Sequence, residues 1–242
     1  MNEHDPICHF SAKELLSNGD SYVIPVYQRN YAWGEAEITQ LIQDVLDYVP
    51  EGGNYYIGTL VVYERDTRQK QKQFETIDGQ QRLTTLSLLT AYLKHSEAMD
   101  LSWYKPQCLD FDSRSHSQAT ADALLEHGSI KSIREILKAE EINEDILNGY
   151  QLIAKLLPQK LKDNESKKNP VSIKMFAEYL FEKVQIMRVK VPDDTDLNHY
   201  FEIMNNRGEQ LEKHEVLKSQ LLEVLNGIDE EVDRERSKDC LH

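Results

Sequence analysis

Cysteine is scarce: Cys8, Cys108 and Cys240 are the only three in 242 residues, and they stand far apart with no CxxC pair. That excludes a disulfide framework or a zinc knuckle as the organising device, and it fits a reducing compartment. No apolar run approaches the roughly 20 residues needed to cross a bilayer, and Met1 to Phe10 lacks the charged-then-apolar layout of a signal peptide. The expected location is the cytoplasm, without membrane contact. Net positive charge is also lacking, since 28 Lys and Arg face 42 Asp and Glu to leave −14. Non-specific nucleic-acid affinity comes from neutralising phosphates, so a general nucleic-acid coat is disfavoured, while a local basic patch is not. Neither a Walker A sequence nor an ordered GxGxxG occurs, and any nucleotide would need an unconventional pocket. His9, His95, His116, His127 and His199 have no carboxylate or cysteine at ligand spacing, and His214-Glu215 begins an HExxH without its second histidine.

What is present is enough for a core, with 40% hydrophobic residues. Ser11 and Glu14 are spaced as a capping box, with Phe10 and Leu15 placed as a hydrophobic staple and Gly19 as a stop, so a short helix opens the fold. Tyr22 to Tyr27 is extended, and Pro25 removes a ladder donor. Ile38, Leu41, Ile42, Val45, Leu46 and Val49 mark one face of a helix from about Glu35. Tyr55 to Tyr63 (YYIGTLVVY) is the best strand, rich in aromatic and β-branched residues, and Phe74 to Ile77 is its hairpin partner. From about Ser115 to Glu182 the patterns are helical, with a polar break at Asp163 to Pro170. Lys183 to Val191 alternates as a strand, with Val184, Ile186, Arg188 and Lys190 on one face. Leu197, Tyr200, Phe201 and Met204 return to helical spacing, and a further helix carries Val216, Leu217, Leu221, Val224 and Leu225. The tail from Asp229 is charge-dense.

Chemistry concentrates in Phe74 to Leu86 (FETIDGQQRLTTL), where a strand pattern breaks at Asp78-Gly79 and reopens as a leucine-rich helix. A helix start carries unpaired N–H groups and partial positive charge, and therefore accepts phosphate; Gly79 lets a ligand approach the backbone. Asp78 can hold a metal or orient water, Gln80 and Gln81 can donate and accept, and Arg82 can fork onto phosphate oxygens. Gln28-Arg29 after a strand and Asn205-Asn206-Arg207-Gly208 at a helix end repeat this pairing of arginine with amides. Such groups suit phosphates and base edges alike, whereas plain ion pairing of Arg29, Arg82 and Arg207 with acidic residues is the bland alternative. Tyr27, Tyr31 and Trp33 offer either a stacking platform or core packing, the latter favoured for Trp33.

Ile24 to Trp33 (IPVYQRNYAW) resembles the IPxYQRxYxW signature of the N-terminal domain of GmrSD-type modification-dependent restriction endonucleases, a ParB/sulfiredoxin-like family. Asp78 to Leu83 is similar to its DGQQRL motif, and Phe201, Asn205, Arg207, Gly208 and Leu211 to its FxxxNxRGxxL pattern. The resemblance implies an α+β fold: a ParB/sulfiredoxin-like core with a small mixed sheet from residues 1–98 and 183–225, a helical insertion at 99–182, C-terminal helices, and a charged tail or start of a further region at 226–242. It also implies a nucleoside triphosphate bound with Mg²⁺ and hydrolysed, in a system that recognises modified phage DNA. Asp78, Gln80, Gln81 and Arg82 would then be catalytic, with Asp78 at the metal. Gly79, Gln28, Arg29, Asn205, Arg207 and Gly208 would bind the nucleotide, although the first motif is also linked to sensing DNA modification. Long family members continue into an HNH-type nuclease. No histidine-rich metal signature follows Gly208, so cleavage is expected from another domain or a separate effector. Two rivals stand beside this reading: a non-catalytic DNA reader using Arg65, Arg68, Lys70 and Lys72 of the hairpin together with Gln28 and Arg29, and a domain that itself cuts DNA with Glu75 and Asp78 on metal. Monomer and symmetric homo-oligomer are equally compatible with the acidic exterior.

Overall fold

In the computed structural model the described residues are 6–65, 71–96, 100–104, 108–165, 169–192 and 195. The chain divides into two units, Met1–Pro25 with Asn30–Val191, and Val26–Arg29 with Pro192–His242. The helices expected between Leu197 and Leu225 lie outside the described residues.

The first unit is α+β. Its strands are β1 (Ile7–Ser11), β2 (Ser21–Ile24), β3 (Tyr55–Arg65), β4 (Gln73–Asp78), β5 (Leu109–Phe111) and β6 (Val184–Lys190). Its helices are α1 (Ala12–Ser17), α2 (Glu35–Tyr48), α3 (Gln80–His95), α4 (Ser115–His127), α5 (Ile130–Ile136), α6 (Glu144–Asn164) and α7 (Ile173–Glu182). Among the described residues the strands form one mixed sheet in the order β1-β6-β3-β4-β2-β5. β1 runs antiparallel to β6 and β3 antiparallel to β4, while β3 with β6, β4 with β2, and β2 with β5 are parallel.

The local chemistry read from the sequence accounts for most of these elements. Ser11 Oγ accepts from the Glu14 N–H while Glu14 returns the bond to the Ser11 N–H, a complete capping box on α1. α2 buries Ile38, Leu41, Ile42, Val45 and Leu46 along one stripe. The polar break before α7 is closed by Asn164, whose buried side-chain oxygen Oδ1 accepts from the Val171 N–H at 2.8 Å. β1 and β5 occur where the sequence shows no strand: both are short, and each is made by a distant partner.

Strand alternation sends Tyr22 and Ile24, Leu60 and Val62, Phe74, Leu109 and Phe111, and Val184 and Ile186 into the main core with the helices. α3 is its axis, burying Leu83, Leu86, Leu88, Leu89 and Leu93 together with Thr84, Thr85 and Thr90. Two of these threonine hydroxyls bond within the helix, Thr85 donating to the Gln81 carbonyl and Thr90 to that of Leu86. Arg188 is 5% exposed on the same face of β6 as Val184 and Ile186. Its Nη1 donates to Asp20 Oδ2 at 2.6 Å and to the Tyr22 hydroxyl at 3.0 Å. Its guanidinium carbon stands 4.4 Å from the Phe74 ring centre and 4.8 Å from that of Phe10.

Candidate functional site at the start of α3

β4 and β2 are parallel neighbours, Val23 standing opposite Glu75, so the turn after β4 and the loop after β2 leave the sheet at the same end. Ligands of sheets with parallel strands favour such strand ends. Gln81 ties the two exits together. Its Oε1 accepts from the Ala32 N–H at 2.8 Å and its Nε2 donates to the Asn30 carbonyl at 3.0 Å. A buried amide with both ends bonded to backbone is a structural bridge. Tyr31, between those two residues, is buried and shares a 2.8 Å hydrogen bond with Thr85. Its ring fills the slot left by Gly149 of α6, where a Cβ would strike it, and burial pushes its phenol up to about 12. Tyr31 is thus core, as Trp33 also is in part, and the stacking-platform reading fails for Tyr31.

At the turn itself Gly79 caps α3 with φ at 94°, a left-handed conformation that disfavours side chains. A Cβ there would sit 2.8 Å from the Thr59 carbonyl oxygen of β3, so the backbone that approaches Gly79 closely is the protein's own. Asp78 ends β4 with its side chain 52% exposed, and Arg82, 27% exposed, faces it across one helical turn, Nη2 to Oδ2 at 3.3 Å. The same Nη2 donates to the Thr59 carbonyl at 2.8 Å, whereas the buried Nε has no acceptor. The bland expectation of an ion pair is therefore met at Arg82, but only partly, because the guanidinium offers more donors than it finds acceptors. Gln80 is buried, 7% exposed, as is Gln81.

Gly58 is the neighbour that sequence reading missed. It lies in β3 at φ 120°, where the register against β6 shifts and Ile57 is the extra residue. Arg82 Cζ, Nε and Nη1 all fall 3.5–3.6 Å from the point a Cβ of Gly58 would occupy. An isolated glycine inside YYIGTLVVY was the available signal, since such a residue marks a bulge or a close approach.

The other expected residues distribute differently. Arg65 donates through Nε to Glu75 at 2.7 Å and through Nη2 to Asp112 at 3.0 Å. Its charge is matched by two carboxylates, which weakens it as a DNA contact. Glu75 answers to Arg65 and Asp78 to Arg82, so the two carboxylates are held by different arginines. Among the described residues no cluster of three or more His, Cys, Asp or Glu could hold a metal unaided. Lys72 lies just before β4, half-buried, with its carbonyl accepting from the Ser21 N–H. Arg68, Lys70, Asn205, Arg207 and Gly208 lie outside the described residues. Gln28 is half-buried and Arg29 exposed, and both belong to the second unit.

The tail of IPVYQRNYAW, at Asn30 and Ala32, is thus bonded to DGQQRL through Gln81. The family model of the GmrSD restriction endonuclease, N-terminal domain, matches residues 12–222. The chain belongs to this family. The match spans all three motifs and most of the first unit, and it identifies the chain as carrying the N-terminal domain of a restriction endonuclease family. No curated protein matches the chain. Among the described residues no helix is long and apolar enough to cross a membrane.

Proposed function

We propose that this domain binds a nucleoside triphosphate with Mg²⁺ at the start of α3 and hydrolyses it, so that nucleotide state gates DNA cleavage in an antiphage, modification-dependent restriction system. The observation that carries the reading is the pairing of an exposed carboxylate with an under-matched arginine at a helix start, Asp78 and Arg82. A triphosphate is rich in acceptors and meets a donor surplus there. Mg²⁺ is ordinarily held by one or two carboxylates plus substrate phosphates and water, so a single Asp78 suits it and no larger protein cage is needed. When bound, the ion would neutralise phosphate charge. Arg82 would stabilise charge on the transferring phosphoryl group, and the first N–H groups of α3 would meet phosphate oxygens. Gln81, both ends of whose amide bond backbone, would hold the β2 exit against α3, and Gln80 is proposed to orient the attacking water. Gln28, Arg29, Asn205, Arg207 and Gly208 are assigned to the nucleotide, with sensing of DNA modification as the alternative for Gln28 and Arg29. The fold is proposed to be ParB/sulfiredoxin-like, with residues 99–182 as its helical insertion. The strands are proposed to be cut by a nuclease domain or a separate effector.

Phosphate release from ATP, GTP, CTP and UTP with Mg²⁺, with and without modified and unmodified duplex DNA, tests this. Turnover of one nucleotide that is lost in Arg82→Ala supports the assignment. No turnover, with salt-sensitive DNA binding retained, would move the function to a non-catalytic DNA reader.

A further inference from the structure

We infer that Gly58 is a positioning residue for Arg82, and that the bulge of β3, not the Asp78 carboxylate, is what holds the guanidinium in place. Its consequence for catalysis rests on the nucleotide reading above; the placement does not. Three guanidinium atoms, Cζ, Nε and Nη1, are nearly equidistant from the Cβ position of Gly58, so the group lies face-on over bare backbone. The φ of 120° at Gly58 is open to glycine and strained for L side chains. The residue that follows the bulge, Thr59, accepts from Arg82 Nη2 through its carbonyl at 2.8 Å. The same carbonyl oxygen is what a Cβ on Gly79 would strike. The glycine that caps α3 therefore packs on the same carbonyl that accepts from Arg82, and the glycine of the bulge lies under the guanidinium itself.

Asp78 is the weaker anchor. Its contact with Arg82 is longer, at 3.3 Å, and its side chain is 52% exposed, a setting in which ion pairs hold little. The difference has a use. A carboxylate that must turn to a metal cannot also be the group that keeps the arginine aimed, whereas a backbone carbonyl on a glycine bulge stays put while Asp78 changes partners.

Side-chain ¹⁵N–¹H NMR of the whole chain tests this without needing turnover, the Arg82 signals being assigned by their loss in Arg82→Lys. Ordered, slowly rotating Arg82 Nη groups are expected in wild type and in Asp78→Ala, and averaged ones in Gly58→Ala. Collapse of order in Asp78→Ala, or its retention in a folded Gly58→Ala, would overturn the inference. Should Gly58→Ala not fold, Asp78→Ala still decides. Where wild type hydrolyses a nucleotide, Gly58→Ala should lower kcat at least tenfold with KM changed less than threefold. A wild type that hydrolyses nothing refutes the nucleotide reading and leaves the NMR result to judge the seat.

Discussion

The guanidinium of Arg188 is removed from water among Phe10, Phe74 and Tyr22, with Asp20 as its carboxylate partner among the described residues at 2.6 Å. A buried charge is tolerable only while paired, and removing one partner of such a pair typically costs about 3–5 kcal/mol. Asp20→Ala should therefore lower unfolding free energy by about 3 kcal/mol in urea titrations, and Arg188→Met, which removes the charge and keeps the bulk, by clearly less. The contrast with Arg82 shows which residues are legible. Asp78, Gly79 and Arg82 lie within five positions, so their meeting at a turn could be read from spacing alone. Alternation placed Arg188 on one face with Val184 and Ile186, but Asp20 and Tyr22 reach it only after β6 and β2 join one sheet, and no local pattern announces that. Gly58 is intermediate: a glycine inside an aromatic strand announced a bulge, yet not that Arg82 would lie upon it.

Among elements, those whose stability is local were the readable ones. The capping box of α1, the stripe of α2 and the β3–β4 hairpin each rest on neighbours in sequence. β1 and β5 do not: Leu109-Asp110-Phe111 is too short to show a period, and it becomes a strand because β2 offers Tyr22, Val23 and Ile24 beside it. The joint between the β2 exit and α3 was also hidden, because a glutamine reads as solvent-facing chemistry until its partners are known. Gln81→Ala would leave the Ala32 N–H and the Asn30 carbonyl without their partner. Faster amide exchange at Ala32 and a loss of about 1–3 kcal/mol are expected, whereas a mutant with wild-type exchange there would show that the loop is held by Tyr31 alone.

For the whole molecule, burial of tyrosines sets an alkaline limit. Tyr22, Tyr31 and Tyr150 each have a phenol pushed up to about 12 from an ordinary 10, chiefly by burial. The unfolded chain ionises these groups near pH 10 while the folded one resists until near 12, so the stability they confer is complete below pH 10 and lost as pH rises toward 12. The tyrosinate absorbance contributed by these three should appear during alkaline titration together with loss of ellipticity; their separate, fully reversible ionisation in a still-folded protein would contradict their burial. A mechanical property follows from the β1–β6 ladder, which runs from Ile7 opposite Val189 to Ser11 opposite Gln185 and is extended by the Lys190 N–H on the Pro6 carbonyl. Pro6 and Val191 leave this antiparallel pair at the same end. Tension between them loads the bonds in sequence, as in a zipper, instead of all at once in shear, so whatever pulls on the chain at those two points opens the sheet edge at low force, one rung at a time.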